Sequence, residues 1–227
     1  MRLNKYLARA LGVSRREADE LIVGGKVKVG ERVAKLGEQA PDIDNNTKVW
    51  YNEKIVPPLE QKGLVYLALN KPVGYVSSRR AQGDAPTLYE LLPEKYRSLK
   101  TVGRLDKNSS GLIILTNDGD FAFQMTHPKF RKVKLYEVSL DQPLQPLHQQ
   151  MLADFGVELT DGKSQLGLTS LDDSRRNWQV ALSEGRNRQI RRSFGSLGIT
   201  VTKLHRTQFG SYQLGDLPSG KYRTLSV

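Results

Sequence analysis

A single ten-residue segment, residues 103–112, constrains this chain more than any other part of its sequence. It reads Gly-Arg-Leu-Asp-Lys-Asn-Ser-Ser-Gly-Leu and runs directly into the apolar residues 113–115. An unbroken apolar run of this length predicts a buried central strand. Arg104 and Asp106 must therefore lie at the edge of the core. Placing a carboxylate at the edge of a core costs folding free energy unless it is paired with a cation or serves in catalysis. We therefore expect Asp106 to belong to a functional site.

The charge balance favours a polyanionic partner. The chain has 35 Lys and Arg residues against 24 Asp and Glu residues, a formal net charge of +11. Nucleic acid is the simplest partner for such a surface. The chain contains no cysteine, which excludes disulfides, thiolate metal sites and thiol catalysis. The three histidines (His127, His148 and His205) lack the spacing of metal ligands, so no metal site is expected.

The sequence predicts a protein that does not enter a membrane. No apolar run approaches the length of a membrane span, and the first residues lack the apolar core of a signal peptide. A cytoplasmic location is the default expectation. With 227 residues, 38% of them hydrophobic, the chain can form one full core and a small accessory domain.

Residues 1–56 are predicted to form the accessory domain. Leu3, Leu7 and Leu11 fall on one face of a first helix. The segment from Ser14 to Glu17 has the sequence of a capping box, which predicts the start of a second helix. Strands are expected near residues 27–29, 49–51 and 55–56. A proline-containing linker at 57–63 would separate this domain from a second one at 64–227.

Basic residues accumulate in the accessory domain near the helix starts and in the turn that follows. The helix-helix-strand order and the runs Ser-Arg-Arg-Glu-Ala and Gly-Lys-Val-Lys-Val resemble an S4 RNA-binding domain. A solvated charged surface is the simpler alternative. The resemblance implies that this surface contacts RNA phosphates without reading the base sequence. The candidate RNA-binding residues are Lys5, Arg9, Arg15, Arg16, Lys26 and Lys28.

Residues 64–227 alternate irregularly between strand-like and helix-like patterns. Strands are predicted at 64–69, 112–115, 135–140, 165–171, 178–183, 199–204 and 212–214. Helices are predicted at 87–92, 119–126, 144–155 and 187–197. This order favours an α+β fold with a mainly antiparallel sheet flanked by helices over a doubly wound parallel sheet. No Gly-x-Gly-x-x-Gly pattern follows a strand, so a dinucleotide site is unsupported.

A second candidate constellation lies at residues 184–194. Six basic residues and no acidic residue occur between positions 186 and 206. On a helix that begins near residue 187, Arg188 would share a face with both Arg191 and Arg192. Such a concentration of positive charge is unfavourable unless an anion compensates it. A solvated helix face remains the alternative, although Ile190 and Phe194 should point inward and hold the helix in place.

Lys134, Tyr136 and Val138 alternate along a predicted strand. Tyrosines in strands mostly serve packing. A tyrosine ring at the edge of a site can also stack on a nucleobase. Both roles are compatible with the pattern.

Together these segments resemble the RsuA family of ribosomal RNA pseudouridine synthases, in the branch that carries an N-terminal S4 domain. The segments that carry the resemblance are 69–75, 103–112, 134–138, 186–192 and 198–206. The resemblance implies that Asp106 is the catalytic carboxylate, that Tyr136 stacks on an extruded uracil, and that Arg191 pairs with Asp106. It further implies that Arg104, Arg186, Arg188 and Arg192 contact the substrate RNA. Two motifs, Asn-Arg-Gln-Ile-Arg-Arg and Thr-Asn-Asp-Gly, lean toward the large-subunit (RluB-like) members.

The implied reaction isomerises uridine in ribosomal RNA and needs neither a metal nor a cofactor. The sequence leaves open whether Asp106 attacks C1′ or removes a proton from C2′. The substrate would be ribosomal RNA or a ribosome-assembly intermediate, and a monomer is expected. The main alternative is a non-catalytic RNA-binding assembly factor. A methyltransferase or an aminoacyl-tRNA synthetase is disfavoured because their nucleotide-binding motifs are missing.

Overall fold

The computed structural model describes residues 1–41, 47–57, 63–80 and 83–227, which form two compact units, Met1–Gly63 and Leu64–Val227. Most of the predicted linker, residues 58–62, lies outside the described residues. The helices are α1 (Leu3–Leu11), α2 (Arg15–Val23), α3 (Gly119–Thr126), α4 (Pro146–Gln150) and α5 (Gln189–Gly195). The strands of the first unit are β1 (Val27–Val29), β2 (Arg32–Val33), β3 (Val49–Tyr51) and β4 (Lys54–Ile55). Those of the second are β5 (Tyr66–Lys71), β6 (Lys100–Val102), β7 (Ser110–Thr116), β8 (Lys134–Leu140), β9 (Val157–Leu159), β10 (Gly162–Ser164), β11 (Gly167–Ser170), β12 (Asn177–Leu182), β13 (Val201–Phe209), β14 (Tyr212–Gln213) and β15 (Tyr222–Thr224).

The first unit packs its two helices against a four-stranded sheet of order β2-β1-β3-β4. The predicted capping box is confirmed: the Glu17 amide donates to Ser14 Oγ (3.1 Å), and the Ser14 amide donates to the Glu17 carboxylate (2.6 Å). Gly12, with φ of 72°, ends α1. A small buried core is formed by residues from both helices and the sheet, including Leu3 and Leu7.

The second unit is built on a nine-stranded sheet of order β11-β12-β8-β13-β7-β5-β15, with β14 beside β13 and β6 beside β7. Within the described residues, all of its strand pairs are antiparallel except β7 with β13. Two hydrophobic clusters lie within this unit. The predicted α+β class with a mixed, mainly antiparallel sheet is confirmed.

Strand β7 is the point at which this sheet forks. On one edge, β5 pairs with β7 from Gly111 to Thr116. The other edge is shared, because β13 pairs at Ser110 and Gly111 while β6 pairs at Ile114 to Thr116. The segment 103–109 connects β6 to β7. It therefore leaves and re-enters the sheet at the fork, next to β13.

Gly111 allows the two backbones at the fork to approach closely. Its φ is +103°, a conformation that L side chains rarely adopt. A Cβ built on Gly111 would lie 2.6 Å from the Arg206 nitrogen and even closer to the Arg206 carbonyl oxygen. Position 111 thus requires glycine both for its backbone conformation and for the space available.

Several predicted elements differ in type or extent from the observed ones. The helix predicted at 87–92 is a 3-10 helix, Leu88–Leu91. The helix predicted at 144–155 begins at Pro146 and changes to a π-helical turn at Met151–Phe155. The helix predicted at 187–197 spans only Gln189–Gly195, because Arg188 adopts a left-handed conformation with φ of 46°. Arg188 therefore does not share a helix face with Arg191 and Arg192, and that prediction is wrong.

Gly111→Ala should destabilise the second unit by more than about 3 kcal/mol, since it combines a left-handed backbone with a steric clash against Arg206. Gly195→Ala is the matched control: this glycine lies in α5 with no atom within 4 Å of the added Cβ, so alanine should stabilise by up to about 1 kcal/mol. Denaturant unfolding followed through the buried Trp178, in a Trp50→Phe background, measures the second unit alone. Equal stability of the two variants would contradict the proposed strand contact.

Candidate active site

The loop that carries Asp106 is fastened to the segment after β5. The Ser77 hydroxyl donates to the Leu105 carbonyl (2.8 Å), and the Leu105 amide donates back to Ser77 Oγ (3.1 Å). The Gly74 amide donates to the Lys107 carbonyl (2.8 Å). The side chain of Leu105 is buried in the core. These contacts on both sides of Asp106 hold its backbone in place.

The Asp106 carboxylate is partly open to solvent and lies beside an arginine. Its side chain is 36% exposed, and its Oδ2 lies 3.8 Å from Nη1 of Arg188. The Asp106 carbonyl accepts a hydrogen bond from the Ser109 amide (3.1 Å), which closes a tight turn. The Arg188 side chain is 45% exposed. A substrate can therefore reach both charged groups.

Arg191, the predicted partner of Asp106, has a different role in the structure. Its guanidinium donates to the carbonyls of Val201 (2.6 Å) and Asn108 (2.7 Å). Burial and the neighbouring Arg188 lower the pKa of Arg191, while Asp106 opposes this shift. Among the described residues, the ion pair of Asp106 is formed by Arg188, so the prediction of a direct pair with Arg191 needs correction. Arg191 instead joins α5 to the start of β13 and to the Asp106 loop.

Lys71 is a further cation near Asp106 that the sequence analysis did not assign to the site. It ends β5 and is completely buried, with Nζ donating to the Pro72 carbonyl (2.8 Å). Burial lowers the pKa of Lys71 to about 8, and the Asp106 carboxylate acts in the opposite direction. A lysine that ends an apolar strand was the available signal in the sequence. Lys71 contributes to the positive potential around the Asp106 carboxylate.

Tyr136 lies on the core side of β8. It is 8% exposed and belongs to the same hydrophobic cluster as Leu105. In the sheet register it stands opposite Val180 on one side and Arg206 on the other. Packing therefore accounts for most of the Tyr136 surface. Only a small part of the tyrosine is available for contact with a base.

Two cations, the buried Arg206 and the partly buried Lys134, lie close to Tyr136 in the strands, and the sequence analysis assigned neither to the site. Arg206 is 2% exposed; its Nε donates to the Leu112 carbonyl (2.7 Å), and its Nη2 has no partner among the described residues. Lys134 Nζ donates to the Glu184 carbonyl (3.1 Å). Burial and the nearby Arg206 lower the pKa of Lys134 to about 8. Arg206 follows the strand predicted at 199–204. The alternation of residue types does not by itself show whether such a charged side chain is buried.

Arg186 and Arg192, both predicted to contact RNA, bind the β9–β10 hairpin instead. Arg186 donates to Asp161 Oδ1 (2.9 Å) and to the carbonyls of Asp161, Gly162 and Lys163. Arg192 donates to both carboxylate oxygens of Asp161 (3.0 and 2.7 Å). Hydrogen bonding to Arg192 lowers the pKa of Asp161. The two arginines thus fasten the hairpin to the segment around α5, and their predicted contact with RNA stays a prediction.

The remaining residues of the central motif divide between surface and sheet. Arg104 is exposed. Ser110 and Gly111 belong to β7, because pairing with β5 and β13 begins there. Ser109 is buried, and the described residues offer its hydroxyl no partner.

The six candidate RNA-binding residues of the first unit occupy more than one surface. Val27 and Val29 point toward the helices, so Lys28 lies on the opposite face of the sheet, in register with Trp50. Lys5 and Arg9 lie on α1, Arg15 and Arg16 lie at the start of α2, and Lys26 precedes β1. Arg15 donates to Asn4 Oδ1 (3.3 Å), which joins the two helices.

The part of the chain that the structure describes contains no group of three or more His, Asp or Glu side chains arranged to hold a metal ion. In the same residues, no helix has the length and hydropathy that crossing a membrane requires.

The chain is similar to known proteins over its full length. A family model described as RNA pseudouridylate synthase matches residues 65–196, and an S4 domain model matches residues 1–40. Ribosomal small subunit pseudouridine synthase A of Pasteurella multocida is 36% identical over 232 residues, covering 100% of this chain and 97% of the relative. Ribosomal large subunit pseudouridine synthase B of Bacillus subtilis is 35% identical over 235 residues, covering 99% and 92%. A crystal structure of a pseudouridylate synthase has a TM-score of 0.70 at 32% identity, covering 100% of this chain and 96% of that one.

Arg191→Gln should lower the stability of the second unit by about 1–3 kcal/mol, because the carbonyls of Val201 and Asn108 lose a partly buried charged donor. Arg188→Gln is the control: its ion pair is exposed and long, so stability should change by less than about 0.5 kcal/mol. Denaturant unfolding followed through Trp178 measures both. A larger loss for Arg188→Gln than for Arg191→Gln would contradict the assigned roles.

Wild-type stability should rise relative to Lys71→Met as the pH increases from 8 toward 10. Because the pKa of Lys71 is about 8 in the folded chain and 10.5 when unperturbed, the unfolded chain binds more protons in this interval, and stability increases with pH. Unfolding curves at half-unit pH steps, followed through Trp178, give the difference. Below about pH 7 the difference should be constant, and a constant difference up to pH 10 would refute the shift.

Proposed function

Because this chain belongs to the RNA pseudouridylate synthase family, with an S4 domain at its N-terminus, we propose that it isomerises uridine to pseudouridine in ribosomal RNA. Asp106 is the proposed catalytic carboxylate. The observation that carries the proposal is the position of Asp106: a partly exposed carboxylate on a loop fastened from both sides, with Arg188, Lys71 and Arg191 as nearby cations. Relatives of this chain are named for the small and for the large ribosomal subunit. The expectation that the substrate is large-subunit RNA therefore stays a prediction.

The reaction breaks the N1–C1′ bond of uridine and joins the same sugar to C5 of the same base. C5 loses a proton and N1 gains one, so atoms and electrons balance without another reactant. As in glycoside cleavage, positive charge develops on the sugar while the bond to the base breaks. An adjacent ionised carboxylate stabilises that charge electrostatically.

Asp106 can act in two ways that the geometry does not distinguish. It can attack C1′ and form a covalent sugar ester, or it can remove the C2′ proton and generate a glycal. Both routes require the ionised carboxylate. Arg188, whose Nη1 lies 3.8 Å from Asp106 Oδ2, is the nearest cation to the carboxylate in either route.

The target uridine must leave its helix to reach Asp106, as in other enzymes that act on a base. Tyr136 belongs to the same hydrophobic cluster as Leu105, the neighbour of Asp106, and its small exposed part would contact the flipped uracil. Exposed Arg104 and Arg188 would contact phosphates beside it. The S4 domain would bind a neighbouring RNA element through its shape and phosphates. A monomer would suffice for this arrangement.

Asp106→Ala should reduce the formation of pseudouridine by at least about 100-fold, the lower end of what a positioned acid–base group contributes. The measurement is tritium release from C5-labelled uridine in ribosomal RNA transcripts and in assembly particles. Because the Asp106 side chain is partly exposed, RNA affinity and stability should stay close to those of the wild type. Asp106→Asn, which keeps the shape of the side chain, should be equally inactive.

Turnover by Asp106→Ala at the wild-type rate would refute the assignment of the carboxylate. If the wild type releases no tritium from naked RNA or particles but binds RNA in a salt-dependent way, the proposed reaction fails. The alternative of a non-catalytic RNA-binding assembly factor would then be supported.

A further inference from the structure

Helix α3 exposes aromatic side chains on its outer face. Its inner face buries Phe121 and Met125 in the core. On the outer side, Phe123 is 48% exposed and Phe130, in the 3-10 turn after α3, is 38% exposed. We call Phe123, His127 and Phe130 the aromatic patch. Apolar residues exposed singly are common, whereas neighbouring exposed rings form a contiguous patch that can be a binding site.

The rings of the aromatic patch are arranged around one another. The centroids of Phe123 and Phe130 lie 5.9 Å apart at an interplanar angle of 89°, and His127 lies 4.7 Å from Phe123. Lys129 Nζ lies 5.5 Å from the Phe123 centroid and 4.7 Å from that of Phe130. The two phenylalanines therefore form a corner in which a flat group can stack on one ring and touch the other at its edge.

The aromatic patch is adjacent to the catalytic loop. A Cβ built on Gly103, at the start of that loop, would lie 3.6 Å from Cγ2 of Thr126, the last residue of α3. On its other side, the chain runs from Phe130 into β8 and reaches Tyr136 after six residues. Six residues span at most about 20 Å. The aromatic patch thus lies within a few nucleotides of the place where the target uridine would enter.

The charge around the aromatic patch suits a nucleic acid. Between Phe121 and Tyr136 the sequence contains four basic residues and no acidic one. The basic residues are Lys129, Arg131, Lys132 and Lys134. Lys129 and Arg131 are exposed next to the rings. Aromatic rings interleaved with cations are the pattern with which proteins hold single strands, since the rings stack on bases while the cations contact phosphates.

We propose that the aromatic patch binds an unpaired base of the substrate RNA next to the target uridine. The base stacks on Phe123 or Phe130, and Lys129 moves from the ring faces to the adjacent phosphate. This inference rests on the proposed function and specifies its substrate: an RNA with a single-stranded segment beside the target uridine. The patch then helps to hold the strand from which the uridine is extruded.

The test replaces both rings by an apolar side chain of similar size, Phe123→Leu with Phe130→Leu. The control is Phe155→Leu, which changes another exposed phenylalanine (64% exposed) in the turn after α4. Two RNAs are compared, both derived from a ribosomal RNA fragment that the wild type modifies. One has unpaired nucleotides beside the target uridine, and in the other a complementary strand pairs them. Binding is measured in the Asp106→Ala background, so that turnover does not interfere.

The double variant should bind the RNA with the unpaired segment about 5- to 150-fold more weakly, the range for losing one stacked base. Affinity for the paired RNA should not change, and Phe155→Leu should bind both as the parent does. Phe123→Tyr with Phe130→Tyr should restore binding, since stacking needs a ring and not merely an apolar surface. A 2-aminopurine placed in the unpaired segment should lose fluorescence on binding the parent but not the double leucine variant.

Unchanged affinity of the double leucine variant for the unpaired RNA would overturn the proposal and leave a protein partner as the occupant of the patch. Equal weakening for both RNAs would also overturn it, because the patch would then bind RNA without regard to pairing. Failure of the proposed function has a different signature. In that case the wild type releases no tritium from any ribosomal RNA fragment or particle, whereas failure of this inference alone leaves tritium release by the wild type intact.

Discussion

The close approach of two backbones at Gly111 and Arg206 is the contact on which the catalytic unit depends. Because β5 covers one whole edge of β7, β13 and β6 must share the other edge, and the Asp106 loop lies between them. Strand β13 can reach β7 only where no side chain intervenes. The carbonyl of Val201, at the start of β13, in turn holds Arg191 of α5. The contact between β7 and β13, the position of α5 and the position of the Asp106 loop are thus linked through Gly111.

The same fork brings cations together on one face of the sheet. In the strand registers, Lys71 stands opposite Gly111, Gly111 opposite Arg206, and Arg206 opposite Tyr136, so their side chains share a face. Lys71 and Arg206 therefore flank Gly111 in the strand registers. Both cations are buried and donate to backbone carbonyls. Since carbonyls satisfy hydrogen bonds without cancelling charge, the face keeps a positive potential that favours an anionic substrate.

Local sequence patterns predicted the secondary structure and the fold class well. They could not show the contacts between segments that are distant in the sequence. The capping box at Ser14 and the helix at 119–126 follow from short-range rules and are observed as predicted. The left-handed conformation of Arg188 does not follow from such rules, so the predicted arginine face was wrong. The hairpin of β9 and β10 was missed because its strands have three residues each, too few for a periodic pattern. Asp161, in the turn of that hairpin, binds both Arg186 and Arg192.

The arginines around α5 show why positive charge in a motif does not by itself identify an RNA surface. Arg186 and Arg192 converge on Asp161, and Arg191 donates to two backbone carbonyls, so these groups are already engaged within the protein. Arg188 differs because its left-handed backbone turns it away from the helix and toward Asp106. The exposed cations of the aromatic patch, Lys129 and Arg131, lie next to the rings. If RNA binds as proposed, these cations and Arg188 would contact the strand that presents its uridine to Asp106.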